Sequence, residues 1–159
     1  MSAATIYDFE TIIPDAVKSV LQDAGLNAFS LSDEKDFQTT RPRVEVHYRQ
    51  IGETNPKRLA TLPDGSQRTS CFRGELKLFA ITDVDPAGKQ IHSNYRAQVR
   101  AVIGGLQNAL NGTALTNHRI NFTVSGNEET GVRSADGYQQ TTFPFVVDIS
   151  IQQDAWSQL

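Results

Sequence analysis

Apolar and polar positions along this chain alternate between two periods, one helical and one extended. From Asp8 to Ala24, apolar residues recur at Phe9, Ile12, Ile13, Val17, Val20, Leu21 and Ala24, the spacing of one stripe along a helix. Asp8 could cap an early start, but Pro14 has no amide hydrogen to donate. The regular helix is therefore expected to begin just before Pro14, with Pro14 and Asp15 in its first turn, and to end at a left-handed Gly25. A short apolar piece, Ala28 to Leu31, and an acidic turn, Ser32 to Asp36, follow. Arg43 to Ile51 then alternates as a strand, with Val44, Val46 and Tyr48 inward and Arg43, Glu45, His47 and Arg49 outward. Phe72 to Thr82 reads as a second strand, with Phe72, Leu76, Leu78 and Ala80 on one face and Arg73, Glu75 and Lys77 on the other, until Phe79 and Ile81.

The 20 residues between these strands make an uncommonly long loop for a compact domain. Pro63-Asp64-Gly65 at its centre is a tight-turn signal between Leu59 to Leu62 and Ser66 to Thr69, which predicts a hairpin projecting from the sheet. From Gln90 to Leu110 the helical period returns at Ile91, Tyr95, Val99, Val102, Ile103, Leu106 and Leu110, and Asn111-Gly112 is expected to close the helix. Gly104-Gly105 inside it points to a close approach of the helix to the sheet or to the other helix. His118 to Val124 is a strand with Ile120, Phe122 and Val124 inward, and the polar stretch Ser125 to Asp136 leads to the last strand, Thr142 to Ile151. There Phe143, Phe145, Val147, Ile149 and Ile151 fall on one face. The order predicts a single α+β domain over residues 1–159: two layers, a mostly antiparallel sheet and two helices packed on one face.

Charge adds a polarity that the periods do not show. Residues 8 to 36 carry seven acids and two bases, residues 41 to 77 eight bases and four acids, and the remaining C-terminal part stands at -2. A polarised molecule suits head-to-tail contact between copies as readily as contact with nucleic acid, while two ordinarily solvated surfaces would carry the same charges. On the hairpin, Lys57, Arg58 and Arg68 have few acids beside them, so they are candidate contacts to an acidic partner or simply a solvated loop. The lone Cys71 cannot form an intramolecular disulfide, and no leader pattern opens the chain, so a reducing cytoplasm is the expected compartment. No apolar run approaches the roughly 20 residues of a membrane helix, and no membrane partner is expected.

The residues offer little to catalysis. His47, His92 and His118 are far apart in sequence and fall on a strand's outer face, a helix start and a strand start, all expected to be surface positions, so no metal is expected. Asp83-Val84-Asp85 reads as turn chemistry rather than a paired acid and base. Ser125-Gly126 lacks the preceding glycine of a nucleophile elbow, Cys71 reads as a packing thiol, and no phosphate-cradling glycine motif occurs. No cofactor is expected and the enzyme reading is disfavoured.

Asp136-Gly137-Tyr138, the polar step through Gln139 to Thr142, the alternating strand and the closing Asp148-Ile149-Ser150-Ile151-Gln152-Gln153-Asp154-Ala155-Trp156 resemble the tail terminator family of tailed bacteriophages, also called tail completion or minor tail proteins. The layout of helix, strand, long hairpin and second helix is similar as well, although specific residues match only over about the last fifth of the chain. The resemblance implies a structural virion protein, assembled in the host cytoplasm. It would form a ring, usually a hexamer, at the head-proximal end of the tail. That ring would stop growth of the tail tube protein and offer a surface to the head-tail connector, with DNA passing through it. On this reading Lys57, Arg58 and Arg68 meet a neighbour or the tube, Asp148, Ser150 and Gln152 face a neighbouring subunit, and Trp156 and Leu159 anchor the C-terminus in their own domain or the next. A head-tail connector or stopper from the neck, or a nucleic-acid-binding module, fits many of the same features.

Overall fold

In a computed structural model of the chain, the described residues are 9–30, 40–53, 60–61, 67–85, 89–113, 118–133 and 137–152. They form α1 (Phe9–Asp23), β1 (Ala28–Ser30), β2 (Arg43–Glu53), β3 (Ala60–Thr61), β4 (Gln67–Asp83), α2 (Ile91–Thr113), β5 (His118–Val124), β6 (Glu129–Arg133) and β7 (Tyr138–Gln152). The seven strands make one sheet in the order β1-β2-β4-β7-β5, with β3 paired to β4 and β6 to β7. Every pairing is antiparallel except β1 with β2. The fold is α+β, as the alternation of periods predicts. Of the predicted hairpin, Ala60 and Thr61 of β3 pair with Arg68 and Gln67 of β4, while the Pro63-Asp64-Gly65 turn and Lys57 and Arg58 lie outside the described residues.

The core is the inward face of the sheet against both helices. Val44, Val46, Leu76, Leu78, Ala80, Ile120, Phe143, Val147 and Ile149 meet Phe9, Ile13, Val17 and Leu21 of α1 and Val99, Leu106 and Leu110 of α2. α1 lies over β1 and β2, and α2 over β4 and β5. Gly25 ends α1 with φ of 87°, and the Gly25 and Leu26 amides donate to the Gln22 and Leu21 carbonyls at 2.9 and 3.1 Å. This is a glycine-capped helix end in which Leu26 tucks back onto the core.

Several expectations change. α1 begins at Phe9, one turn earlier than predicted, and runs through Pro14. The Glu10 carbonyl loses its amide partner at that position, but fully burying Phe9 and Ile13 outweighs one helical bond. Ala28 to Ser30, read only as an apolar piece, is a parallel edge strand; the Asn27 carbonyl accepts from Val44 N–H at 2.7 Å as the chain enters it. Ile91 is half exposed at the first turn of α2, and the helix runs past Asn111 to Thr113. Gly104 and Gly105 are exposed, and a Cβ on either would meet open space, so no close approach explains them. The close approach lies instead at Gly74, where a Cβ would collide with the Tyr48 ring.

The stretch from Ser125 to Asp136, read as a polar connection, contains β6, and β7 starts at Tyr138 rather than Thr142. β5 and β6 lie end to end along β7: Val124 sits opposite Phe145, and pairing resumes with Glu129 opposite Thr142. Pro144 accounts for the gap. Ser125 N–H donates to the Pro144 carbonyl at 3.1 Å, so the backbone groups of Pro144 face this edge. The donor that the Ser125 carbonyl would need is the one proline lacks, and the edge strand leaves the ladder there.

Two glycine substitutions should therefore have opposite signs. Gly105→Ala should stabilise by up to about 1 kcal/mol through helix propensity alone, whereas Gly74→Ala should destabilise by about 1–3 kcal/mol through overpacking against Tyr48. Urea denaturation of both variants checks this, and a smaller loss for Gly74→Ala in a Tyr48→Ala background would place the clash on that ring.

Candidate interaction face

The sheet face turned away from the helices gathers polar and charged side chains from three strands. It is built by strand alternation: Arg43, Glu45, His47 and Arg49 from β2, Arg73, Glu75, Lys77 and Phe79 from β4, and Thr142, Pro144, Val146 and Asp148 from β7. The register lines up Glu45, Phe79 and Thr142 in one row across β2, β4 and β7, His47, Lys77 and Pro144 in the next, and Arg49, Glu75 and Val146 in a third, and sets Arg73 beside Asp148.

These charges are paired. Glu45 accepts from Arg43 at 2.7 Å and lies 3.1 Å from His47 Nε2, and the His47 ring stands edge-on to Phe79 with centroids 4.6 Å apart. The hydrogen bond to His47, then the Arg43 guanidinium, holds the Glu45 carboxyl below its ordinary value against the opposing effect of its burial. Glu75 bridges Lys77 at 3.1 Å and Arg49 at 3.3 Å, and Arg73 bonds Asp148 at 2.9 Å. Arg41, just before β2, meets Asp83 at 3.0 Å and lies over the Tyr138 ring. Arg41, Arg43, Arg49, Arg73 and Lys77 of the basic segment thus each have a carboxylate partner. What the face presents is a chequered surface of paired charges around Phe79, Pro144 and Val146.

The residues singled out in the sequence fall in three groups. Asp148 is on this face and engaged by Arg73. Ser150 sits opposite Cys71 and Arg119, and Gln152 opposite Arg68, so the backbone register brings Arg68, Asp148, Ser150 and Gln152 to one end of the β4–β7 pair. Lys57, Arg58, Trp156 and Leu159 lie outside the described residues. The Arg43-Glu45-His47 cluster was not singled out, although its signal is plain: a base, an acid and a histidine at alternate positions of one strand share one face. Among the described residues, no group of three or more histidine, cysteine, aspartate and glutamate side chains is placed to hold a metal ion.

His92 is a correction. It was expected at the surface, yet it is buried where α2 meets the end of the sheet, only 3 % exposed. Its Nδ1 lies 2.8 Å from Thr82 Oγ1 and its Nε2 2.7 Å from Thr141 Oγ1, and its backbone amide donates to Asp85 Oδ1 at 2.9 Å. Thr82 donates onward to the Asp83 carbonyl, so His92 Nδ1–H must donate to Thr82, and Thr141 then donates to Nε2. Thr130 Oγ1 stands 2.9 Å from Thr141 and accepts from Arg96 at 3.1 Å. A single direction of donation from Arg96 to Asp83 satisfies the three threonine hydroxyls and both ring nitrogens with a neutral imidazole. Burial lowers the His92 pKa and Arg96 lowers it further, against the opposing pull of Asp85.

No protein-family model matches this chain, and no curated protein matches it.

The histidine gives a pH signature. In the unfolded chain His92 titrates near its ordinary 6.5, and in the fold below that value, so between the two the unfolded state binds more protons. Stability should therefore fall as pH drops through about 6.5 and level off below the folded value. His92→Gln should flatten that part of the profile while costing about 1–3 kcal/mol near neutrality. Urea titrations across the range check it; loss of the Glu45 pairing belongs to a separate, more acidic window, below the ordinary carboxylate value of 4.5.

Proposed function

We propose that this protein is a structural virion component that caps the phage tail tube as a ring, ending tube growth and forming the surface that joins the head connector. The observation that carries the reading is the open sheet face. One side of the sheet is sealed by helices. The other is broad and half-exposed, and its charges are already paired along and across strands, so a neighbouring subunit can cover it without stranding a charge. That property suits repeated contact between identical copies, and rings arise when such heterologous contacts close by rotation.

The resemblance of the segment from Asp136 to Trp156 to tail terminators adds the identity of the partner, the tail tube protein. Arg68, Ser150 and Gln152, gathered at one end of the β4–β7 pair, are the contacts this reading assigns to a neighbour or the tube, together with Lys57 and Arg58, which precede β3 in sequence.

Co-sedimentation with purified tail tubes tests the proposal. The protein should bind tube ends and stop further polymerisation, with light scattering giving a ring mass alone or on the tube. Phe79→Asp, which adds an unpaired charge beside Glu45 on the open face, should abolish ring formation while circular dichroism stays unchanged. Binding to filled heads in preference to tubes would make the protein a neck connector instead. A monomer at all concentrations, with and without tubes, would end the ring reading.

A further inference from the structure

The two halves of the β5–β6 edge differ in how their outward backbone groups are satisfied. On β5 the outward groups of Ile120 and the N–H of Phe122 are taken by α2. Asn111 Oδ1 accepts from Ile120 N–H at 2.7 Å, Asn111 Nδ2 donates to the Ile120 carbonyl at 2.9 Å, and Gln107 Oε1 accepts from Phe122 N–H at 2.9 Å. Side chains one helical turn apart thus close that edge to any added strand. β6 has no such cover among the described residues. Its pairing with β7 keeps the alternation seen along β5, so the groups of Glu129, Gly131 and Arg133 face β7 and those of Thr130 and Val132 face outward. Glu129, Thr130, Gly131 and Val132 are all exposed, Val132 by 56 %.

We infer that β6 is a strand-addition site and that its occupant is β6 of a second copy, antiparallel about a two-fold axis at Gly131. The sequence Glu129-Thr130-Gly131-Val132-Arg133 is complementary to itself in that register alone. Thr130 falls opposite Val132 of the partner subunit, so the residues whose N–H and C=O point outward exchange hydrogen bonds in two symmetry-related pairs. Glu129 falls opposite Arg133 of the partner subunit, acid against base. At the axis, where two side chains would crowd, stands glycine. Shifting the register by one residue turns the outward groups of one copy toward inward groups of the other. A shift by two sets Glu129 against Gly131 of the partner subunit and loses the charge pairing. The contact is isologous, so it joins two copies and cannot itself close a ring. It is independent of the tail reading: in a ring-forming protein it would pair two rings, and in a monomer it would make a dimer. A strand pair this short is a small interface, so the association is weak and depends on concentration.

Cross-linking and solution mass test it. In a Cys71→Ala background, Gly131→Cys should form an intermolecular disulfide on mild oxidation, because directly opposed residues of this kind lie about 4.5 Å apart between Cα atoms, within disulfide range. Val132→Pro removes only an outward donor, and edge strands tolerate proline there. It should weaken association by about tenfold or more and halve the limiting mass by light scattering, with an unchanged circular dichroism spectrum. Glu129→Arg should weaken association similarly, and Glu129→Arg with Arg133→Glu should restore it. Absence of the cross-link together with a mass unaffected by Val132→Pro overturns the inference. If a ring forms in that case, the tail reading stands without it; if the cross-link forms but no ring does, the inference stands and the tail reading falls.

Discussion

The antiparallel pairing of β4 with β7 governs the rest of the molecule. It runs from Arg68 opposite Gln152 to Asp83 opposite Tyr138, the longest ladder in the sheet, and every other strand except β1 pairs with one of these two. Because paired residues share a face, this one register places Leu76 with Phe145, Leu78 with Phe143 and Phe72 with Ile149 toward the helices. The same register puts Arg73 against Asp148 on the opposite side. A slip by one residue would send the whole apolar set to the open face, so the hydrophobic requirement of the core also fixes the pattern of charges outside it. The open face is thus a consequence of the core rather than a separate design.

The sequence made the core legible because the signals there are long and periodic. Leu76, Leu78, Phe143, Phe145, Val147 and Ile149 all fall where alternation places them, and Tyr95, Val99, Leu106 and Leu110 where the helical period does. The misses have a common physical origin. Ala28 to Ser30 and Glu129 to Arg133 are too short to show a period, and they are strands because neighbours already in place offer backbone partners. Tyr138 to Thr141 is polar yet belongs to a strand held on both sides, which no single-segment pattern reveals. Pro14 misled for the opposite reason, since a local backbone rule yielded to the burial of Phe9 and Ile13.

The candidate face was only partly readable for related reasons. Which residues point outward follows from alternation, but which of them meet depends on register. Alternation points to Asp148 but not to its partner Arg73, and it turns Arg43, Glu45 and His47 outward without showing that they bond as one cluster. His92 shows the limit of reading a polar residue by its position in an element. A histidine at a helix start is ordinarily solvated, but here Thr82 of the preceding strand and Thr141, distant in sequence, reach it from two paired strands. A buried polar network of this kind becomes visible only once the strands are assembled.

Pro144 carries a consequence for how the molecule opens. By withholding one donor it divides the outer ladder of β7 into two segments that meet only through the Ser125 bond. Cooperative opening spreads along uninterrupted hydrogen bonding, so the two segments fray separately. Amides of β6 can exchange with solvent through detachment of one short hairpin, while those of β5, tied to β7 on one side and to Asn111 and Gln107 on the other, wait for α2 to leave as well. A residue with no N–H to donate therefore sets where one edge of this sheet can move and where it cannot.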